Sequence, residues 1–180
     1  MHTVILAGGG SRRMGRDKAL LPWAGGTLLQ SQIDRFAPLG PVAVCLDRPG
    51  RFSFSGAAEL ADPFPGQGPL NGLVSGLRWS GGRAIFLCAV DLPYADPAWA
   101  TRLYTSLDGY DACLLRSENG LEPLFAAYTP TCLDAAEASL RQGRLRMRGL
   151  LDTLRVRYFD AASLPALHNV NTPEDFTALA

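Results

Sequence analysis

Histidine is almost absent: His2 and His168 are the only two in 180 residues. A histidine-built metal centre or a Ser–His–Asp triad therefore lacks its raw material. There is no surplus of charge either. Seventeen Lys and Arg balance seventeen Asp and Glu, which argues against a general nucleic-acid binder, whose footprint is a basic excess. Apolar runs such as Ala84-Ile85-Phe86-Leu87-Cys88-Ala89-Val90 fall far short of the ~20 residues of a membrane-spanning helix. The opening Val4-Ile5-Leu6-Ala7 gives way at once to glycines, too little for a signal peptide. The expectation is a cytoplasmic chain with neither membrane nor nucleic acid as partner. Cys45, Cys88, Cys113 and Cys132 are widely spaced, with no Cys-x-x-Cys pair and no histidine at zinc-ligand spacing. Three of them sit inside apolar runs and read as buried small hydrophobes.

What is present suits one α/β domain over residues 1–180. Apolar residues make up 47% and charged residues 19%, enough for a core and too apolar for disorder. Thr3–Ala7 reads as a strand buried on both faces, and Pro41–Leu46 and Ala84–Val90 read as the second and third strands. Asp111–Arg116, Leu124–Tyr128 and Arg155–Phe159 read as further strands. Helical spacing marks Thr27–Phe36, Asn71–Trp79 and Thr131–Arg141. Asp96-Pro97 and Thr172-Pro173 each place a capping side chain before a proline at the first helical position. Alternation of this kind implies a mostly parallel sheet covered on both faces.

The stretch from Ile5 to Lys18, Ile-Leu-Ala-Gly-Gly-Gly-Ser-Arg-Arg-Met-Gly-Arg-Asp-Lys, carries the most information. Glycines directly after the first strand let backbone N–H groups face a ligand at the carboxyl edge of the sheet. Four of the seventeen basic residues, Arg12, Arg13, Arg16 and Lys18, fall in this loop, and cations beside free amides suit phosphates. Two familiar phosphate loops do not fit. The dinucleotide fingerprint needs glycine where Arg13 stands, which disfavours a dehydrogenase, and a Walker A loop needs Lys-Ser/Thr where Arg16-Asp17 follow Gly15. The bland alternative is a glycine turn with solvated arginines.

Leu6-Ala7-Gly8-Gly9 through Arg13-Met14-Gly15 to Asp17-Lys18-Ala19-Leu20-Leu21 resembles the signature loop of the molybdenum cofactor guanylyltransferases. The likeness continues in chain order. Gly68-Pro69-Leu70-Asn71-Gly72 resembles the family's second motif, which normally ends Gly-Pro-Leu-Ala-Gly. Asp91-Leu92-Pro93 resembles its metal-binding block, and Glu122-Pro123-Leu124 and His168-Asn169-Val170-Asn171-Thr172-Pro173-Glu174 resemble its two C-terminal blocks. The resemblance implies a three-layer α/β/α, Rossmann-like nucleotidyltransferase fold. It implies transfer of GMP from GTP to the phosphate of molybdopterin or Mo-molybdopterin, with release of pyrophosphate. The main chain at Leu6, Ala7, Gly8 and Gly9 holds the nucleotide on this basis, with Lys18 and Arg13 at its phosphates. Asp62 matches a nucleotide contact, Asp91 the Mg²⁺ ligand and Asn171 a residue of the pterin side. Other proteins of molybdenum cofactor biosynthesis are implied as partners.

The chain departs from the family at Cys45, which stands where an asparagine often contacts the nucleotide. Either Asp47 or a backbone group replaces that contact, or it is absent. Asp62 and Asp91 also admit a plain reading as turn residues at strand ends. A second basic concentration, Arg141, Arg144, Arg146, Arg148, Arg155 and Arg157, is either a solvated face or a receiver for the pterin phosphate, with Arg144 and Arg148 as candidates. A cytidylyltransferase, a sugar-phosphate nucleotidyltransferase and a non-enzymatic nucleotide-binding regulator or carrier are the competing functions.

Overall fold

The computed structural model describes residues 1–8, 17–48, 50–61, 66–118 and 120–161. Gly9, Arg12, Arg13, Arg16, Asp62, Asn169, Asn171 and the expected helix after Thr172 lie outside the described residues. Strand β1 (His2–Leu6) is followed by a small hairpin, β2 (Pro22–Trp23) and β3 (Gly26–Thr27), and by helix α1 (Leu28–Phe36). Then come β4 (Val42–Leu46), β5 (Ala58–Ala61), α2 (Pro69–Trp79), β6 (Ile85–Ala89) and α3 (Pro97–Thr105). The rest is β7 (Ala112–Ser117), β8 (Gly120–Tyr128), α4 (Cys132–Arg141), α5 (Met147–Leu151) and β9 (Val156–Asp160).

Among the described residues, seven strands form one sheet in the order β5-β4-β1-β6-β8-β7-β9. All pairings are parallel except those of β8, which runs against β6 and β7. The sheet is thus mostly parallel, as the apolar strands imply. Alternate residues of each strand feed two cores. Ile5, Val44, Phe86, Cys88 and Phe125 pack under α1 and α3. Val4, Leu6, Cys45, Leu87 and Tyr128 pack under α2, α4 and α5. Helix, sheet and helix make the three layers. All four cysteines are buried and free. Burial pushes the thiols of Cys113 and Cys132 up, to about 11 and about 12, so they behave as small apolar groups. Among the described residues, no helix is long and apolar enough to cross a membrane.

Local rules place the helices. Thr27 caps α1, accepting from the Gln30 amide at 3.2 Å, and Asp96 caps α3, accepting from the Ala98 amide at 2.8 Å. Helix α2 lies unusually close to β1. A Cβ at Gly72 would fall 2.3 Å from Leu6 Cδ2 and one at Gly76 2.7 Å from Val4 Cγ2. These glycines, one turn apart, bring the N-terminus of α2 to the carboxyl edge of the sheet.

Asp111 ties three elements together at the opposite edge. It accepts from the Arg155 amide at 2.9 Å and from the Thr131 hydroxyl at 2.8 Å, linking β7 to β9 and α4. The Arg155 guanidinium is the main reason its carboxyl drops from 3.8 to about 2, burial working against the shift. A depressed carboxyl stabilises the fold fully above its unfolded value and loses that contribution as pH falls through the folded one. The melting temperature is therefore expected to fall between about pH 4 and about pH 2, and Asp111→Asn to flatten that decline. Coincident pH profiles of the two proteins would show that Asp111 adds nothing.

Candidate active site

A cleft of about 260 Å³ opens at the carboxyl edge of the sheet. It collects residues from every motif within the described chain: Leu6, Ala7 and Gly8 from the end of β1, Lys18, Gly68 and Pro69 at the start of α2, Asp91 after β6 and Leu124 on β8. Parallel topology causes this convergence, since β1, β4 and β6 all end on one side and point their following loops the same way.

Lys18 and Asp91 meet across it. Their Nζ and Oδ2 lie 3.0 Å apart, and the two side chains are 18% and 24% exposed. Asp91 hangs from the end of β6, where the Val90 amide donates to the Leu6 carbonyl at 3.0 Å. The Ala7 amide donates to the Cys45 carbonyl at 3.0 Å. At Leu6 and Ala7 these backbone groups serve the sheet, and Gly8 is where the chain emerges to solvent.

Cys45 lines the cleft and its thiol donates to the Gly72 carbonyl at 3.5 Å. Asp47 is turned to Arg51 instead, whose guanidinium also holds Asp17, next to Lys18. Burial opposes the charge on Arg51, but the carboxylates of Asp47 and Asp17 outweigh it and raise its pKa. The Arg51 side chain is only 11% exposed and lies over the Phe52 ring. Sequence reasoning passes over Arg51, because nothing in its spacing shows that two acidic residues converge on it. It also passes over Gln32, although a glutamine between Leu28, Leu29, Ile33 and Phe36 is a polar residue on an apolar face.

The second basic concentration is sorted by the fold. Arg155 pairs with Asp111, Arg141 with Glu137, and Arg157 stacks on Tyr110 and Phe159. Arg148 instead lies over Gly120, where its Nη2 is 2.8 Å from the place a Cβ would occupy. With Arg116, Leu121 and Asp152 it lines a separate open groove of about 400 Å³. Cys88 of β6 is level with Phe125 of the reversed strand β8, so Gly120 at the start of β8 lies on the same sheet edge as Asp91. Arg144 is exposed in the turn after α4 and does not line that groove.

Among the described residues no group of three or more His, Cys, Asp or Glu could hold a metal by themselves. Two carboxylates line the cleft, Asp17, which is held by Arg51, and Asp91, which faces the Lys18 ammonium. Asp91 fits Mg²⁺ held by one protein carboxylate and phosphate oxygens, the usual arrangement for this ion.

The MobA-like NTP transferase domain matches residues 3–158. A probable molybdenum cofactor guanylyltransferase from Opitutus terrae is 37% identical, covering 95% of this chain and 90% of the relative. The corresponding protein of Bacillus subtilis is 32% identical over 98% of this chain and 92% of its own length. The solved structure of molybdopterin-guanine dinucleotide biosynthesis protein A from Archaeoglobus fulgidus superposes with a TM-score of 0.85, covering 99% of this chain and 96% of that one. At 24% identity it attests the fold. Matched from β1 into β9 and along nearly the full length of these relatives, the chain belongs to the MobA-like NTP transferase family.

Proposed function

We propose that the chain, as one domain over residues 1–180, transfers GMP from GTP to the phosphate of molybdopterin or Mo-molybdopterin. The observation that carries this reading is the placement of two cation-bearing openings on one sheet edge: the Lys18–Asp91 cleft beneath the N-terminus of α2, and the groove beside β8 where Arg148 lies with Asp152 and with Arg116, itself paired with Asp160. The names of the full-length relatives support the nucleotide and the acceptor.

An oxygen of the acceptor phosphate attacks the α-phosphorus, the bond from that phosphorus to the β-phosphate oxygen breaks, and pyrophosphate leaves. The nucleophile is already an anion, so no general base is required and the scarcity of histidine is no obstacle. Catalysis is positioning and charge neutralisation. Lys18 supplies an ammonium at the phosphates, and the resemblance adds Arg13 from the glycine loop. Asp91 would hold Mg²⁺, which supplies charge neutralisation on the phosphate oxygens when bound. Asp62 on the nucleotide side and Asn171 on the pterin side complete the assignment by resemblance.

Binding of GTP, CTP and ATP in the presence of Mg²⁺ tests the nucleotide, with GTP expected to bind tightest. Preference for CTP points to the cytidylyl reading. GTP binding without pyrophosphate release when molybdopterin is added points to a regulator or carrier.

Arg148 is the acceptor-side candidate. Removing a charge-assisted contact to a phosphate costs about 1.5–3 kcal/mol, or roughly tenfold or more in binding. Arg148→Ala should raise the molybdopterin concentration needed for half-maximal rate by that factor while GTP binding stays unchanged. Arg144→Ala, outside the groove, should have the smaller effect. Equal weakening of both ligands by Arg148→Ala would count against the assignment.

A further inference from the structure

The turn that carries Asp91 is held from behind by one face of α1. Gln32, fully buried, points its side-chain amide at the backbone on both sides of Asp91. Its Nε2 donates to the carbonyls of Val90 and Leu92 at 3.0 Å each and of Ala89 at 3.2 Å. Its Oε1 accepts from the Cys88 thiol at 3.6 Å. One helical turn on, the Arg35 guanidinium donates to the carbonyls of Pro93 and, at 3.3 Å, Ala95. Two side chains of one helix thus donate to five carbonyls of the segment from Ala89 to Ala95.

We propose that Gln32 is a positioning residue for the transfer reaction, fixing the backbone that aims the Asp91 carboxylate, with Arg35 holding the far side of the same turn. The inference rests on the reading of Asp91 as metal ligand given above. The chemistry is specific to an amide. The side-chain amide adds a donor to three carbonyls, of which Val90 receives it beside the backbone-bonded Ala89 and Leu92. Its oxygen accepts from a thiol that also reaches the Ala89 carbonyl, and a carboxamide offers donor and acceptor on one planar group. Glutamate would set oxygen lone pairs against three carbonyl oxygens. Methionine has nearly the same length but cannot donate, so the buried bond to the Val90 carbonyl is lost along with the added bonds to Ala89 and Leu92. Sheet bonds fix Asp91 only up to Val90, and from there to the cap of α3 at Asp96 the chain's own support is two turn bonds, from the Leu92 amide to the Ala89 carbonyl at 3.4 Å and from the Ala95 amide to the Leu92 carbonyl at 3.1 Å. A carboxylate on an unbraced turn loses the orientation on which metal affinity depends, and groups that orient a ligand from behind are worth roughly 10–100-fold in metal affinity or activity.

The test is Gln32→Met beside Ile33→Val, a mild core truncation one residue along the same helix that leaves the turn untouched. In the free protein, amide hydrogen exchange between Val90 and Ala95 should quicken in Gln32→Met and stay at its wild-type rate in Ile33→Val. In the GTP complex, the Mn²⁺ concentration for half-saturation, read by electron paramagnetic resonance, should rise roughly tenfold in Gln32→Met, the lower end of that range. Metal-free GTP binding should not change. Should Gln32→Met fail to fold, Arg35→Met, at a half-buried position, must show both effects in the same direction. Wild-type exchange and wild-type Mn²⁺ binding, or equal changes in Ile33→Val, overturn the proposal. Asp91→Asn is measured alongside. Mn²⁺ binding lost there but unchanged in Gln32→Met overturns the positioning role alone. Mn²⁺ binding kept in Asp91→Asn overturns the metal reading and, with it, the part of Gln32 in the reaction.

Discussion

Asp91→Asn should fold as the parent does, retain some affinity for guanine nucleotide and lose nearly all transfer activity. Asparagine keeps the size of the side chain and removes its charge, so a hard divalent cation loses its one assigned protein carboxylate. Metal neutralisation of phosphoryl charge is worth several kcal/mol in the transition state. At about 1.4 kcal/mol per decade, the loss is on the order of a thousandfold in rate. The fold should tolerate the change, because Asp91 is partly exposed and its backbone is held by the end of β6 and by donors from α1. Any residual rate should need more Mg²⁺. The measurements are melting temperature, GTP affinity and turnover across a Mg²⁺ titration. Near-normal turnover at ordinary Mg²⁺ would place the metal elsewhere, with Asp62 the next candidate.

Lys18→Met should separate catalysis from folding even more clearly. A partly exposed ion pair contributes about 1 kcal/mol or less, which in a chain of this size moves the melting temperature by only about 2–4 °C. A fixed donor to charge that develops in the transition state is worth roughly 10²–10³ in rate. Activity should fall by about that factor. The pair also implies a second, independent signature. With Nζ 3.0 Å from Asp91 Oδ2, an ammonium stands at the carboxylate before any nucleotide arrives. A divalent ion must displace it, and triphosphate oxygens offer the lysine an alternative partner. Lys18→Met should therefore bind Mn²⁺ more tightly than the parent in the absence of nucleotide. A large loss of stability with turnover per folded molecule preserved, or unchanged binding of the metal alone, would contradict this account.

Much of this was legible in the residues themselves. Val4-Ile5-Leu6, the run to Val90 and Ala112–Leu115 are apolar on both faces, and a strand with two apolar faces needs a layer on each side. That requirement dictates three layers before any coordinate is known. Thr27 and Asp96 announce their helices because capping is local. Lys18, Gly68-Pro69 and Asp91 each follow or open a regular element, and parallel strands carry such positions to one edge, so their meeting in the cleft follows from topology that the sequence pattern already implies.

What only the tertiary structure decided depends on contacts between residues far apart in the chain. Strand β5, Ala58-Glu59-Leu60-Ala61, has little β propensity and exists because β4 offers it a free edge. The hairpin of β2 and β3 turns through Ala24 with φ of 46°, a left-handed conformation that no rule for alanine predicts. Within the arginine-rich stretch, composition could not distinguish Arg155, bound to Asp111, from Arg148, which faces a groove. The distinction arises only when β8 reverses and brings Gly120 beneath the Arg148 guanidinium. Asp47 and Asp17 acquire their shared cation from Arg51 in the same way. Gln32 reads locally as a flaw in an amphipathic helix, and becomes a donor to three carbonyls once α1 docks against the end of β6. Periodicity and capping are short-range and written in neighbouring residues, so the sequence by itself determined the layers and the positions of the motifs. Charge pairing and hydrogen bonding across the sheet join residues dozens of positions apart, and their partners are set only when the whole core closes.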